Sequence, residues 1–248
     1  MKLFANQISN KAVVDTDQIG RGVVIGPFAV VSENVILGDY VVIHPHVVLQ
    51  PGVRIGNGVE IFPFSYIGKA PKGAGNLAKR LEYREFVEIG DHCSIGPGAV
   101  IYYDVSIGAN TLIGDSASIR EQVIIDSRCI IGRFVSIFPV VSIGARTRIL
   151  DFCSITGNCS IGEDTFISMH VCLTNDNNFG SKGYDQSFVQ SAKIGDRVKI
   201  GAGATLLPNV KIGDDSVIAA GSIVTKDIPS ASFALGQPAK ILRAIDLT

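Results

Sequence analysis

Between Val13 and Val224 an aliphatic residue recurs at every sixth position, and nothing else in the chain limits its fold so strongly. The longest unbroken run is Ile89, Ile95, Ile101, Ile107, Ile113, Ile119, Ile125, Ile131, Ile137, Ile143, Ile149, Ile155, Ile161, Ile167 and Leu173. Two residues before each lies a small or β-branched residue, from Val87 and Cys93 through to Thr165 and Val171. The same register runs earlier, from Val13 to Ile67, and resumes from Ile194 to Val224. Six residues are too few for a helical repeat. They suit a short strand and a corner, and the Val, Ile and Thr content agrees. Glycine often follows the aliphatic residue, as at Gly20, Gly90, Gly114 and Gly201, where a Cβ would obstruct the corner. Three hexads close one triangular coil. The expectation is an all-β solenoid of about ten coils, stacked at ~4.8 Å with the aliphatic column inside. Each repeat adds core, so residues 1–248 are read as one domain.

The register fails twice, over residues 68–86 and 174–191, and each stretch reads as an external loop. The first holds Lys69, Lys72, Lys79, Arg80 and Arg84. These are either contacts for a phosphate-bearing substrate or a solvated charged loop. The second begins Thr174-Asn175-Asp176, just after Met169-His170, and is the expected reaction site. His170 is the candidate general base and Asn175 a candidate substrate contact. Asp151 or Asp176 could take the proton instead. An amine that arrives neutral would need no protein base.

The formal net charge is −1, from 22 basic and 23 acidic residues, so no basic field draws the chain to nucleic acid or an anionic membrane. No apolar run reaches the length of a membrane span, and the opening MKLFANQISNK lacks a secretion signal's apolar stretch. Cys93, Cys129, Cys153 and Cys159 fall in the small inward column, with Cys172 apart from it. They read as reduced thiols, and the expected compartment is the cytoplasm. A zinc site needs three convergent histidines. Here His44 and His46 share a coil, while His92 and His170 lie 46 and 78 residues further on in turn, so no metal is expected. A flat ice-binding face needs regular outward Thr, whereas Arg120, Glu121, Arg133, Asp151 and Glu163 make the outward positions mixed.

The hexads resemble those of the hexapeptide-repeat acyltransferases, which implies a left-handed parallel β-helix. Handedness rests on that resemblance, because parallel crossovers are in general right-handed. The strings GAGATLLP (201–208), VKIGDDSVIAAGSIVTKDIP (210–229) and ALGQPAKILRAI (234–245) resemble the acetyl-CoA-binding end of these enzymes. The resemblance implies that residues from about 194 to 248 bind acetyl-CoA or another acyl-CoA as cosubstrate. Gly201, Ala202, Ala219 and Ala220 would lie along the pantetheine arm, and Lys226, Lys240 and Arg243 near the CoA phosphates. The first loop (SYIGKAPKG…EFVEIGD) also resembles lipid A acyltransferases, which carry a further helical domain and use acyl carrier protein. No helical segment follows the end string here, which favours acyl-CoA. Thr174-Asn175-Asp176 with AKIGDRVKIGAGATLLPNVKIG resembles N-acyltransferases of nucleotide-linked amino sugars. That implies an acetyl or short acyl transfer to the amino group of a nucleotide-linked amino-deoxy sugar for surface polysaccharide. It also implies a homotrimer with sites between prisms, and substrate contacts from Asn175, Lys72, Arg80 and Arg84. O-acyl transfer is the near alternative. The family's histidine slot holds Asp151 in ILDFCSITGNCSIG and Met169 on the Thr174 coil, with His170 one place later.

Overall fold

The computed structural model describes residues 5–72, 82–178, 181 and 190–246. Their strands are mostly two or three residues long and build three sheets of 13, 11 and 9 strands, here A, B and C. The chain visits A, B and C in turn, and strands in register are commonly 18 residues apart, as Ser94 with Leu112 and Val100 with Ser118. This is the three-hexad coil of a left-handed parallel β-helix. Sheet A holds twelve parallel strands before a final antiparallel one, so the solenoid makes about 12 turns where the hexads suggested ten. At ~4.8 Å per turn the prism is roughly 55–60 Å long.

The aliphatic column fills the interior, from Ile25 through Ile131 to Ile218, with the small column beside it. Four cysteines are buried there, and burial pushes the Cys159 thiol up to about 12 and those of Cys129 and Cys153 to about 11. The corners turn through a left-handed residue that is usually not glycine, including Phe134, Arg146, Phe152 and His170, with φ between 56° and 62°. Each such residue costs about 1–2 kcal/mol. Its N–H is tied to the preceding coil, as from Phe134 to the Asp115 carbonyl at 2.9 Å. Glycine serves two residues earlier, where coils touch: a Cβ on Gly114 would lie 2.6 Å from the Gly132 carbonyl carbon.

The structure corrects the sequence reading in three places. Val14, not Val13, pairs with the column residue Val31, and Val13 is 52% exposed, so the first hexad is one residue short. Glu121 is not outward: it is 3% exposed and accepts hydrogen bonds from Nε and Nη2 of Arg120 at 2.9 and 3.0 Å. The coil also continues past Val224. Buried Ile228 and Ala234 extend the interior, and a hairpin of Ser232–Gly236 and Ala239–Ala244 closes the end of sheet A.

Both loops leave the same edge of the prism, between sheets B and C: the first after Tyr66–Lys69, the second after Cys172–Leu173. No helix among the described residues is long and apolar enough to cross a membrane.

Candidate functional site

His170 lies at the edge between sheets A and B, one sheet-width from where the second loop departs. The corner slot it occupies is held on earlier coils by Phe134 and Phe152. The three rings stack, with centroids 5.1 Å apart at both steps and planes 7° and 3° from parallel. The His170 N–H donates to the Asp151 carbonyl at 3.1 Å, and its side chain is exposed. Stacking on Phe152 fixes the plane of the imidazole and leaves its other face open.

The next two coils put glycine in that slot, Gly203 and Gly221, and a Cβ on either would meet nothing within 4 Å. Gly201 and Ala202 flank the first, and Ala219 and Ala220 the second. The ladder of rings therefore stops at His170 and gives way to a strip of nearly bare backbone. Elsewhere the backbone N–H one step before the left-handed corner residue often donates to an aspartate of the next coil. Arg21 to Asp39 and Arg133 to Asp151, both at 2.8 Å, are examples. On this strip Ala220 replaces that aspartate. Among the described residues the N–H groups of Met169, Ala202 and Ala220 have no protein acceptor. Two of the strip's amides, those of Ala202 and Ala220, stand one coil apart and free for an extended ligand.

The far end of the strip is closed by the hairpin. Gln237 Nε2 donates to the Gly221 carbonyl at 2.6 Å, and the Gly236 N–H to Ser222 Oγ at 3.2 Å. Lys240 pairs with Leu235 on this hairpin and projects from an exposed position near the strip's end. Arg243 stacks its guanidinium 5.2 Å from the Phe233 ring, further back on sheet A. Lys226 lies apart from both, at the B–C edge beyond Val224.

The remaining sequence-derived candidates divide between engaged and free groups. Asp151 accepts the Arg133 amide at 2.8 Å and its guanidinium at 2.7 and 3.0 Å. Those bonds hold its carboxyl below the usual carboxylate range, which makes it a poor proton acceptor. Asp176 accepts the Asn178 amide at 2.6 Å, and the Asn175 carbonyl accepts the Gln190 amide at 3.1 Å, so both help shape the base of the second loop. Arg84 ties the returning first loop to buried Asp104, at 2.9 and 3.0 Å, and covers Phe86. Lys72 is exposed, and Arg80 lies outside the described residues. Of the histidines, His44 meets Glu60 at 2.7 Å and stacks on Phe62, His46 stacks between Phe28 and Phe64, and His92 sits at another edge. They do not converge, and no group of three metal-ligating side chains occurs among the described residues.

Residues 18–51 and 191–226 match the family model "Bacterial transferase hexapeptide (six repeats)". Residues 83–194 match the model of the GMPPB C-terminal domain. Fold and repeats together define a hexapeptide-repeat left-handed β-helix. Among solved structures the chain is similar to LpxA, a UDP-N-acetylglucosamine acyltransferase from Bacteroides fragilis. The identity is 22%, with a TM-score of 0.52 over 96% of this chain and 74% of that one. It is also similar to the Arabidopsis UDP-N-acetylglucosamine acyltransferase, at 18% identity and a TM-score of 0.51 over 97% and 74%. These likenesses are of fold. No curated protein matches the chain significantly.

Proposed function

We propose that this protein moves an acetyl or short acyl group from CoA to the amino group of a nucleotide-linked amino-deoxy sugar. One observation carries the reading: the exposed ring of His170 abuts a bare strip, Gly201–Gly203 and Ala219–Gly221, with unpaired amides. The transferase-type repeat match over residues 191–226 spans that strip. Its free amides would bind the carbonyls of a pantetheine arm, and Lys240 at its end would meet CoA phosphates. The two structural neighbours named above act on UDP-N-acetylglucosamine, which supports a nucleotide sugar as acceptor.

In the reaction the acceptor nitrogen attacks the thioester carbonyl and a C–N bond forms. The amide of Met169 faces the developing oxyanion. His170 accepts the proton that the nitrogen loses, the C–S bond breaks, and the CoA sulfur leaves and is protonated. Transfer to a sugar hydroxyl would use the same groups and depend more heavily on His170, since an alcohol must be deprotonated. The working form is read as a cytoplasmic homotrimer in surface polysaccharide synthesis, in which an adjacent prism would wall the open edge.

The test is a panel of nucleotide amino sugars and their hydroxy counterparts with acetyl-CoA, read by thiol release and product mass. Thiol release with an amino sugar and an N-acyl product is the expected result. An ester product with the hydroxy sugars alone moves the reading to O-acylation, and no release with any acceptor removes it.

A further inference from the structure

Arg128, at the C–A edge, and Arg148, beside it on sheet A, depart from a pairing that four other arginines keep. Four arginines pair with an aspartate 18 residues on, one coil later: Arg21 with Asp39, Arg133 with Asp151, Arg146 with Asp164 and Arg197 with Asp215. Arg128 occupies the same slot as Arg146, one coil earlier, and at that spacing faces Arg146 itself. Arg146 is turned to the following coil, with 2.6 Å contacts to Glu163 and to Asp164. Next to it on sheet A, Arg148 stands in register between Ile130 and Phe166. Among the described residues neither Arg128 nor Arg148 has a carboxylate partner. Like charges on adjacent strands repel, and an anion lodged between them would relieve that.

The space for one is present. Arg128, Arg146 and Arg148, with Ile130, Asp164, Thr165 and Phe166, line a surface hollow of about 410 Å³, in which the Asp164 carboxylate is already held by Arg146. Two guanidiniums without a carboxylate partner, beside Ile130 and Phe166, suit the fork-like recognition of phosphate oxygens. The hollow opens on sheet A, and that sheet runs on to the edge bearing His170: Phe166 and His170 are four residues apart on one strand and corner, at most ~13 Å. We infer that this hollow binds the diphosphate of the acceptor, so that the sugar points along sheet A toward His170. The inference rests on the proposed function for its acceptor. It assigns the phosphate contacts to Arg128 and Arg148 in place of the first loop's Lys72 and Arg84, which lie at the B–C edge.

Calorimetry on the full chain with inorganic pyrophosphate, then with UDP, tests it. The wild type should bind both, and Arg128→Gln/Arg148→Gln should weaken both at least tenfold while acetyl-CoA affinity stays within twofold. Lys72→Gln should change neither. Arg148→Lys, which keeps the charge but not the fork, should give an intermediate loss, and it serves alone if the double variant fails to fold. No pyrophosphate binding by the wild type, unchanged binding in the arginine variants, or an equal loss in Lys72→Gln would overturn the inference. Arginine-dependent pyrophosphate binding without thiol release from any nucleotide sugar would instead remove the acyl-transfer reading and leave the hollow an anion site.

Discussion

Replacing Gly203 by phenylalanine separates the strip's role in binding from its role in the fold. The slot is left-handed, with φ of 67°, and a Cβ there has nothing within 4 Å. The same edge already seats Phe134 and Phe152 in that conformation, at φ of 56° and 62°. The backbone cost is about 1–2 kcal/mol. A ring at residue 203 would stack on the open face of His170, as His170 stacks on Phe152, and return about 0.5–1.5 kcal/mol. The net change should lie between about −0.5 and +1.5 kcal/mol, which for a chain of this length moves Tm by about 6 °C at most. The new ring would nonetheless cover the free amide of Ala202 and the ground beside His170. Titration calorimetry should show acetyl-CoA binding at least 100-fold weaker, with an unchanged circular dichroism spectrum. Gly98→Phe is the matched control: it lies at the same edge with φ of 70°, several coils before His170, and should leave CoA affinity alone. A folded Gly203→Phe protein that binds acetyl-CoA as tightly as the wild type would refute the reasoning.

Other outcomes follow from particular contacts. His170→Ala should lower kcat by about 10²–10⁴-fold with CoA affinity kept, measured by steady-state thiol release. Near wild-type turnover would retire it as the base. Gly114→Ala forces a Cβ to 2.6 Å from the Gly132 carbonyl carbon and should destabilise by about 1–3 kcal/mol in a thermal melt. Asp39, Asp151, Asp164 and Asp215 all have carboxyls lowered by hydrogen bonds from arginine side chains. Their contribution is therefore fully present above the unfolded value of about 3.9 and is lost as pH falls through the lowered folded values. Tm should hold from neutral pH to about 5 and fall below about 4, less steeply in Asp151→Asn. In native protein at pH 8, a thiol reagent should modify at most Cys172, and all five cysteines once the chain is unfolded.

The interior was legible in the sequence because it depends on one periodic variable. From Ile25 to Val224 the structure keeps the column wherever the chain stays in register. It was misread by one residue at Val13, where alternate valines, Val13 and Val14, offer no local signal of which faces inward. Ile228 and Ala234 escaped because the column breaks its six-residue spacing after Val224, and Ile228 pairs instead with Ile212 and Ala234 with Ile218. The convergence of His170 with Gly203 and Gly221 was encoded but less visible. The second loop inserts between coils, so the shared edge emerges only on counting hexads in threes from Ile167 to Ile200 and Ile218. The same count separates Lys226 from Lys240 and places Arg128 below Arg146. The engagement of Asp151 by Arg133, and of Arg84 by Asp104, depends on side chains meeting across coils or from a returning loop, which a hexad pattern does not specify.

The central claim is that the A–B edge beyond His170 is where the acyl donor lies. A crystal structure with acetyl-CoA tests it most directly. The account requires the pantetheine arm along Gly201–Gly203 and Ala219–Gly221, its carbonyls on the amides of Ala202 and Ala220, and the thioester within hydrogen-bond reach of His170. Acetyl-CoA bound at the B–C edge, with the strip bare, would contradict it.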